Sequence, residues 1–287
     1  MNQQLKSYLW MSLAISSFCL LATIANILSQ DYSAVQSVFV RACVGFIFIT
    51  PILFIKKETI DFSLIKLHSL RNLTHLIGQL AWFTGFAYLS VAQVIAIEFS
   101  VPIWVLFLAA YFLKEQITLI KLFSIILGFI AILFIVQPTM PDFHPMSLLV
   151  LGGAFAYAIA HTTNKNISSK TSALLIIWFM AWMQMLATFP FAIYYWRALS
   201  INDFLWMVVL GLTALSGHFC LSKAIQNIPV SSAMIFDYFR LPLMIIIGWL
   251  VFSQTIEWPL ALGVILILCA NLILAIPKKW FKNDNLL

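Results

Sequence analysis

The stretch whose reading decides the fold is Leu89–Pro138, LSVAQVIAIEFSVPIWVLFLAAYFLKEQITLIKLFSIILGFIAILFIVQP. Two apolar runs, each long enough to cross a bilayer, flank a short charged loop, Lys114–Lys121. Glu98 lies inside the first run, with Pro102 four residues on. The same plan returns at Ile228–Pro277, IPVSSAMIFDYFRLPLMIIIGWLVFSQTIEWPLALGVILILCANLILAIP, at an offset of 139 residues and without a gap. The offset places Glu98 on Asp237 and Pro138 on Pro277. Pro51 falls on Pro190, Thr23 on Thr162, Ser33–Ala34 on Ser172–Ala173 and Gly78 on Gly217. What aligns is span ends, prolines and buried polar positions rather than general identity.

Composition excludes a water-soluble globule. Hydrophobic residues make up 63% of the 287-residue chain and charged residues 9%, against about 25% charged in soluble domains. Mean hydropathy is +1.01. Ten segments meet or approach the roughly 20 apolar residues a span requires. They run 8–28, 34–55, 72–89, 92–113, 119–137, 146–165, 173–195, 204–223, 231–252 and 260–276. The longest connector, Lys56–Arg71, reads as a surface turn of amphipathic helix. The first run is too long for the hydrophobic part of a signal peptide and reads as a span. The four cysteines, Cys19, Cys43, Cys220 and Cys269, sit inside apolar runs and read as small core residues.

Lysine and arginine placement sets the orientation. With the N-terminus inside, twelve of the sixteen basic residues fall in inside segments, and of the outside loops only the one holding Arg197 is basic. That bias fits ten spans with both termini inside. It also explains the net charge of +6 without nucleic acid as a partner. Each half, 8–138 and 147–277, then holds five spans, so the second is inverted relative to the first. The expected fold class is therefore an all-α integral membrane protein of two inverted five-helix repeats, with a substrate site near the midplane.

Buried polar residues mark where that site should be. An ionisable group in hydrocarbon costs about 2.5–3.5 kcal/mol even on the lenient insertion scale, so each should face protein or water. Glu98 registers with Asp237, Gln79 with His218 and Thr84 with Lys223, which points to a cavity lined by spans 3, 4, 8 and 9. Asp237 and Arg240 lie three apart on one helical face. They read either as a structural ion pair or as substrate anchors, Arg240 for a carboxylate and Glu98 or Asp237 for an amine or a coupling proton. Pro102 and Pro242, one register apart, read as curvature or as hinges beside the site.

Span 1 carries a small polar face, Ser12, Ser16, Cys19, Thr23 and Asn26, that suits helix packing. Tyr157, His161 and Lys165 share a face of span 6, with Lys165 snorkelling to the inner surface and His161 either a core histidine or a proton relay. Trp10, Trp196, Trp206, Trp258 and Trp280 suit an interfacial belt. Trp82, Trp104, Trp178 and Trp182 are deeper and could wall a cavity or pack against lipid. Arg41, near the middle of span 2, maps onto Met180 and has no symmetry partner; it reads as paired with a carboxylate or as marking the cavity edge.

Gly85–Glu115, GFAYLSVAQVIAIEFSVPIWVLFLAAYFLKE, resembles the EamA-type domain of the drug/metabolite transporter superfamily. The matching positions are Ala87–Leu89, Ala92, the mid-helix Pro102 and Glu115 at the helix end. The second copy shows Ala224–Pro229, Ser231–Ala233 and Pro242, with Gln254 where the acid usually stands. Phe239–Pro242, FRLP, resembles a variant of that run. The resemblance covers nearly the whole chain. It implies ten helices and alternating access around a central cavity, in a family that moves amino acids, S-adenosylmethionine, riboflavin and drugs.

The sequence thus predicts a secondary transporter of the bacterial inner (plasma) membrane for a small polar or zwitterionic metabolite, amino-acid-like or S-adenosylmethionine-like. Proton coupling and exchange both suit it; an exporter of drugs or toxic metabolites is the alternative. No enzyme motif such as HExxH or GxSxG and no metal-ligand cluster occurs, so neither enzyme activity, cofactor nor metal is expected. A channel would want rings of charge or carbonyls. Besides the substrate, the expected partner is the lipid bilayer, as a monomer or homodimer. The candidate site residues are Glu98, Asp237, Arg240, Gln79, His218, Lys223, Trp82, Tyr157 and His161.

Overall fold

The computed structural model describes residues 3–89, 91–136, 144–253 and a few between 258 and 269. Among the described residues the secondary structure is all helical, with turns and short loops between helices. α1 (Gln3–Ser29) and α2 (Ala34–Ile55) are followed by α3 (Ile65–Phe86), α4 (Val91–Glu98), α5 (Val101–Leu113) and α6 (Leu119–Val136). The second half holds α7 (Met146–Ser168), α8 (Ala173–Tyr194), α9 (Ile201–Ile225), α10 (Val230–Phe236), a 3-10 turn (Asp237–Phe239) and α11 (Arg240–Phe252). Six spans among the described residues are long and apolar enough to cross a membrane: α1, α2, α7, α8, α9 and the broken helix Val230–Phe252. Most of the expected tenth span, 260–276, lies outside the described residues, as do Pro138, Gln254, Pro277 and Trp280.

Local chemistry recurs at the 139-residue offset. Ser33 caps α2 by accepting from Gln36 N–H, and Ser172 caps α8 by accepting from Leu175 N–H. Lys114 ends α5 and Ser253 ends α11, both left-handed, at φ 56° and 52°. Pro51 and Pro190 sit inside α2 and α8. The expected spans 92–113 and 231–252 are each two helices: one breaks after Glu98, the other at Asp237. The proline lies one turn beyond each break, at Pro102 and Pro242. Lacking an N–H, it cannot donate to the carbonyl four residues back, which is that of Glu98 for Pro102.

The helices pair across the halves in matching sets. α1 packs on α9 and α3 on α7, two contacts that the offset exchanges, while α2 packs on its own counterpart α8. Small residues allow the close approach. A Cβ on Gly78 would stand 2.8 Å from the Tyr157 ring, and one on Gly217 would stand 2.6 Å from the Phe18 ring. Tyr157 and Phe18 are themselves at the offset, so one ring-on-glycine contact is built twice. Gly217→Val should therefore overpack the α1–α9 contact, at about 1–3 kcal/mol. Gly152→Ala, which meets nothing within 4 Å, should be neutral. Thermal unfolding of both variants in detergent measures the difference.

Three expectations are corrected by the packing. The polar face of span 1 is a packing face only in part: Cys19 is buried and Thr23 and Asn26 are half-buried, whereas Ser12 and Ser16 are exposed and hydrogen-bond the Tyr8 and Ser12 carbonyls of their own helix. Backbone acceptors one turn away satisfy those hydroxyls, so the apolar face with Met11, Ala14, Ile15 and Phe18 is free to bury. Secondly, Arg71 does not belong to the connector. α3 starts at Ile65, and Arg71 is buried with Nη1 donating to Asn72 Oδ1 at 2.6 Å. Lastly, Lys165 does not simply snorkel: its Nζ donates to the Ile225 and Ile228 carbonyls, capping the end of α9.

The halves are also joined through Glu115. Its carboxylate accepts from Val230 N–H at 2.9 Å and from Ser231 Oγ at 2.6 Å. Lys121 completes the cluster, 3.9 Å from Glu115 and donating to Ser231 Oγ at 2.8 Å.

Candidate functional site

Both helix breaks open onto one narrow cavity bounded by α1, α3, α7, α9 and the two broken helices. Eight of the nine candidate residues line it: Glu98, Asp237, Arg240, Gln79, His218, Trp82, Tyr157 and His161. Lys223 does not. It stands over the Phe219 ring at 5.9 Å, on a different face of α9 from His218. The offset pairs Lys223 with Thr84 in sequence, but helix rotation turns them away from the cavity.

The centre of the site is Arg240. Its Nη2 donates to Glu98 Oε1 and to Asp237 Oδ2, both at 2.8 Å. The guanidinium lies near two rings, 5.7 Å from that of Phe18 and 5.2 Å from that of Phe99, which fix its position through cation–π attraction. Glu98 Oε2 accepts from Trp82 Nε1 at 2.8 Å, so the glutamate is held from two sides. Asp237 is held on one side only, and its Oδ1 is buried without a partner among the described residues. Two carboxylates share one cation, so the ionised triad carries a net negative charge. Sequence spacing finds the Asp237–Arg240 pair; the Glu98 bond joins residues 142 apart in the chain.

The remaining deep tryptophans do not line the cavity. Trp178 and Trp182 pack together beside α2, and Trp178 Nε1 donates to Thr50 Oγ1 at 3.1 Å. Trp104 packs edge-on against Phe155. Near the expected belt, Trp196, Trp206 and Trp258 are exposed. Trp10 packs edge-on against Phe219.

Sequence reasoning missed the polar ladder on α3. His68, Asn72, His75, Gln79 and Trp82 repeat at spacings of 4, 3, 4 and 3, and all are buried. That is the period of one helical face. Ending the connector at Arg71 left His68 outside the span and placed Asn72 at its very end. The ladder also gives Arg41 its partners. Arg41 Nη2 donates to Gln79 Oε1 at 2.8 Å and to Gln184 Oε1, and Gln184 Nε2 meets His75 Nδ1 at 3.1 Å. His75 lines the cavity beside His218, with ring centroids 4.6 Å apart. So Arg41, which symmetry left out, reaches the site through glutamines.

Comparisons with known proteins agree with this architecture. The chain matches the EamA-like transporter family twice, over residues 5–137 and 144–276. It is 25% identical to an S-adenosylmethionine uptake transporter of Rickettsia conorii, over 99% of this chain and 98% of that protein. A riboflavin transporter of Vibrio cholerae is 26% identical over 93% of this chain and 91% of its own length. A solved crystal structure superposes with a TM-score of 0.80 at 10% identity, over 96% of this chain and 99% of that one. Two EamA repeats, helices that cross the membrane and one internal cavity have a single reading: the chain is a multi-pass membrane transporter of the EamA-like transporter family.

Proposed function

We propose that the protein carries a small zwitterionic metabolite of the amino-acid or S-adenosylmethionine class across the inner membrane by alternating access. The observation that carries the reading is Asp237 Oδ1, a buried acceptor in the cavity without a partner among the described residues. Beside a triad with net negative charge, such an atom suits an ammonium or sulfonium group. The rings of Phe18, Trp82, Phe99 and Tyr157 offer faces for a cation or a planar base. Relatives named for S-adenosylmethionine uptake, 25% and 26% identical, favour the same class.

In this reading the halves 8–138 and 147–277 are inverted five-span units, ten spans in all with both termini inside. The exchange of α1–α9 and α3–α7 contacts by one offset supports that symmetry. Glu98 and Asp237 are then mates across the midplane, and the two helix breaks are where one unit rocks against the other. The triad couples transport either to a proton or to a counter-substrate.

Uptake into proteoliposomes tests the proposal. Labelled S-adenosylmethionine or a labelled amino acid should accumulate saturably and be competed by the unlabelled compound. Saturable uptake of riboflavin with no uptake of either zwitterion would overturn the assignment. Imposing a pH gradient separates coupling from exchange: accumulation above equilibrium indicates a proton, and its absence an exchanger or facilitator.

A further inference from the structure

Arg41 is 3% exposed and has no carboxylate partner among the described residues. A guanidinium only donates hydrogen bonds. The Gln79 and Gln184 oxygens are therefore both committed to Arg41, which fixes which way each amide faces. Gln184 must then donate through Nε2, and its recipient, His75 Nδ1, must accept. The proton of the His75 ring consequently sits on Nε2. That atom is buried and has no partner among the described residues, on a side chain that lines the cavity. Gln79 lines the cavity as well, and its NH2 group, turned away from Arg41, makes no hydrogen bond to the described residues.

On α3 the cavity thus presents donors without acceptors, next to the likewise unpartnered Nδ1 of His218, and on the second broken helix it presents Asp237 Oδ1, an acceptor without a donor. α3 also reaches the triad. Gln79 and Trp82 lie three residues apart on one face, about 4.5 Å along the helix axis, and Trp82 in turn holds Glu98. The buried charge of Arg41 adds an electrostatic demand for an anion beside the α3 donors.

We infer that Gln79 and His75 form a carboxylate subsite whose donors are aimed by Arg41. A ligand carboxylate accepts from Gln79 Nε2–H and His75 Nε2–H, while the ligand's cationic group faces Asp237 Oδ1. This deepens the proposal above and rests on its reading of the substrate as a zwitterion. Arg41 touches no ligand; it is a positioning residue.

The test is binding to the purified full-length protein, read by thermal shift and calorimetry. Probes are S-adenosylmethionine and its decarboxylated form, methionine and its decarboxylated amine, and sodium acetate alone. Wild type should prefer each carboxylate-bearing probe by about tenfold or more, the loss expected when a charged hydrogen bond is left unmade. Arg41→Met and Gln184→Leu should bring that ratio close to one, with affinity for the decarboxylated probes kept. A general folding defect would lower both affinities together, so the ratio isolates positioning. Equal binding of both forms by wild type, or a ratio unchanged in both variants, overturns the subsite. Acetate separates its failure from that of the transport reading. Saturable stabilisation by acetate that Gln79→Leu abolishes supports an anion subsite even where no zwitterion binds, a result that sinks only the substrate class. Neither zwitterion nor acetate binding sinks both.

Discussion

Arg240→Met is expected to destabilise the purified protein by about 3–5 kcal/mol, the cost of leaving a buried carboxylate without its cation. The reason lies in the sharing of one guanidinium. Arg240 is 2.8 Å from both Glu98 Oε1 and Asp237 Oδ2, and the side chains are only 7%, 14% and 13% exposed respectively. Removing it leaves two like charges side by side, and Phe18 and Phe99 lose the cation near their rings. Combining Arg240→Met with Glu98→Gln and Asp237→Asn should recover most of the stability, because the triad becomes neutral. Transport should stay absent in both proteins. Unfolding midpoints in detergent and proteoliposome uptake measure the two effects separately. A triple variant no more stable than Arg240→Met would show that the guanidinium acts through packing rather than charge.

Asp237→Asn should abolish uptake while leaving the protein folded and inserted. The introduced amide must turn its single oxygen towards Arg240, which can only donate. Its NH2 then occupies the place of Asp237 Oδ1, presenting a donor where the proposed zwitterionic substrate would need an acceptor. Losing one hydrogen bond to a charged group costs about 1.5–3 kcal/mol, or roughly ten- to a hundredfold in affinity. Reversing the local dipole adds to that. Glu98→Gln should also stop uptake, but at a cost in stability that Asp237→Asn avoids. Both Glu98 oxygens are already acceptors, for Arg240 and for Trp82, and an amide replaces one of them with a donor. Melting curves should therefore rank Asp237→Asn near wild type and Glu98→Gln below it. Normal uptake by both variants would remove the carboxylates from the mechanism.

Local chemistry carried a large part of the architecture. Apolar run length predicted helices through the chain, and the all-helical membrane fold holds for the described residues. The offset matched Ser33 with Ser172, which the structure shows as side-chain caps, and Glu98 with Asp237, where the structure breaks both helices. These features depend on neighbours within a turn or two, so a linear string contains them. The prolines gave the breaks away but not their place, which is one turn earlier.

Rotation and partner choice were a different matter. A polar residue on a span can satisfy itself against its own helix, as Ser12 and Ser16 do, or wait for another helix, as Gln79 does for Arg41. The string looks the same in either case. Lys223 and His218 differ by five positions on α9, yet only His218 faces the cavity. Glu98 finds Arg240, and Gln184 finds Arg41 and His75, because small residues let particular helix faces meet. The sequence alone determined a membrane-spanning, internally repeated chain with its charges in two matched places. Only the tertiary structure decided which donor meets which acceptor there, because a hydrogen bond depends on ångström-scale distance and direction set by packing between helices far apart in the chain.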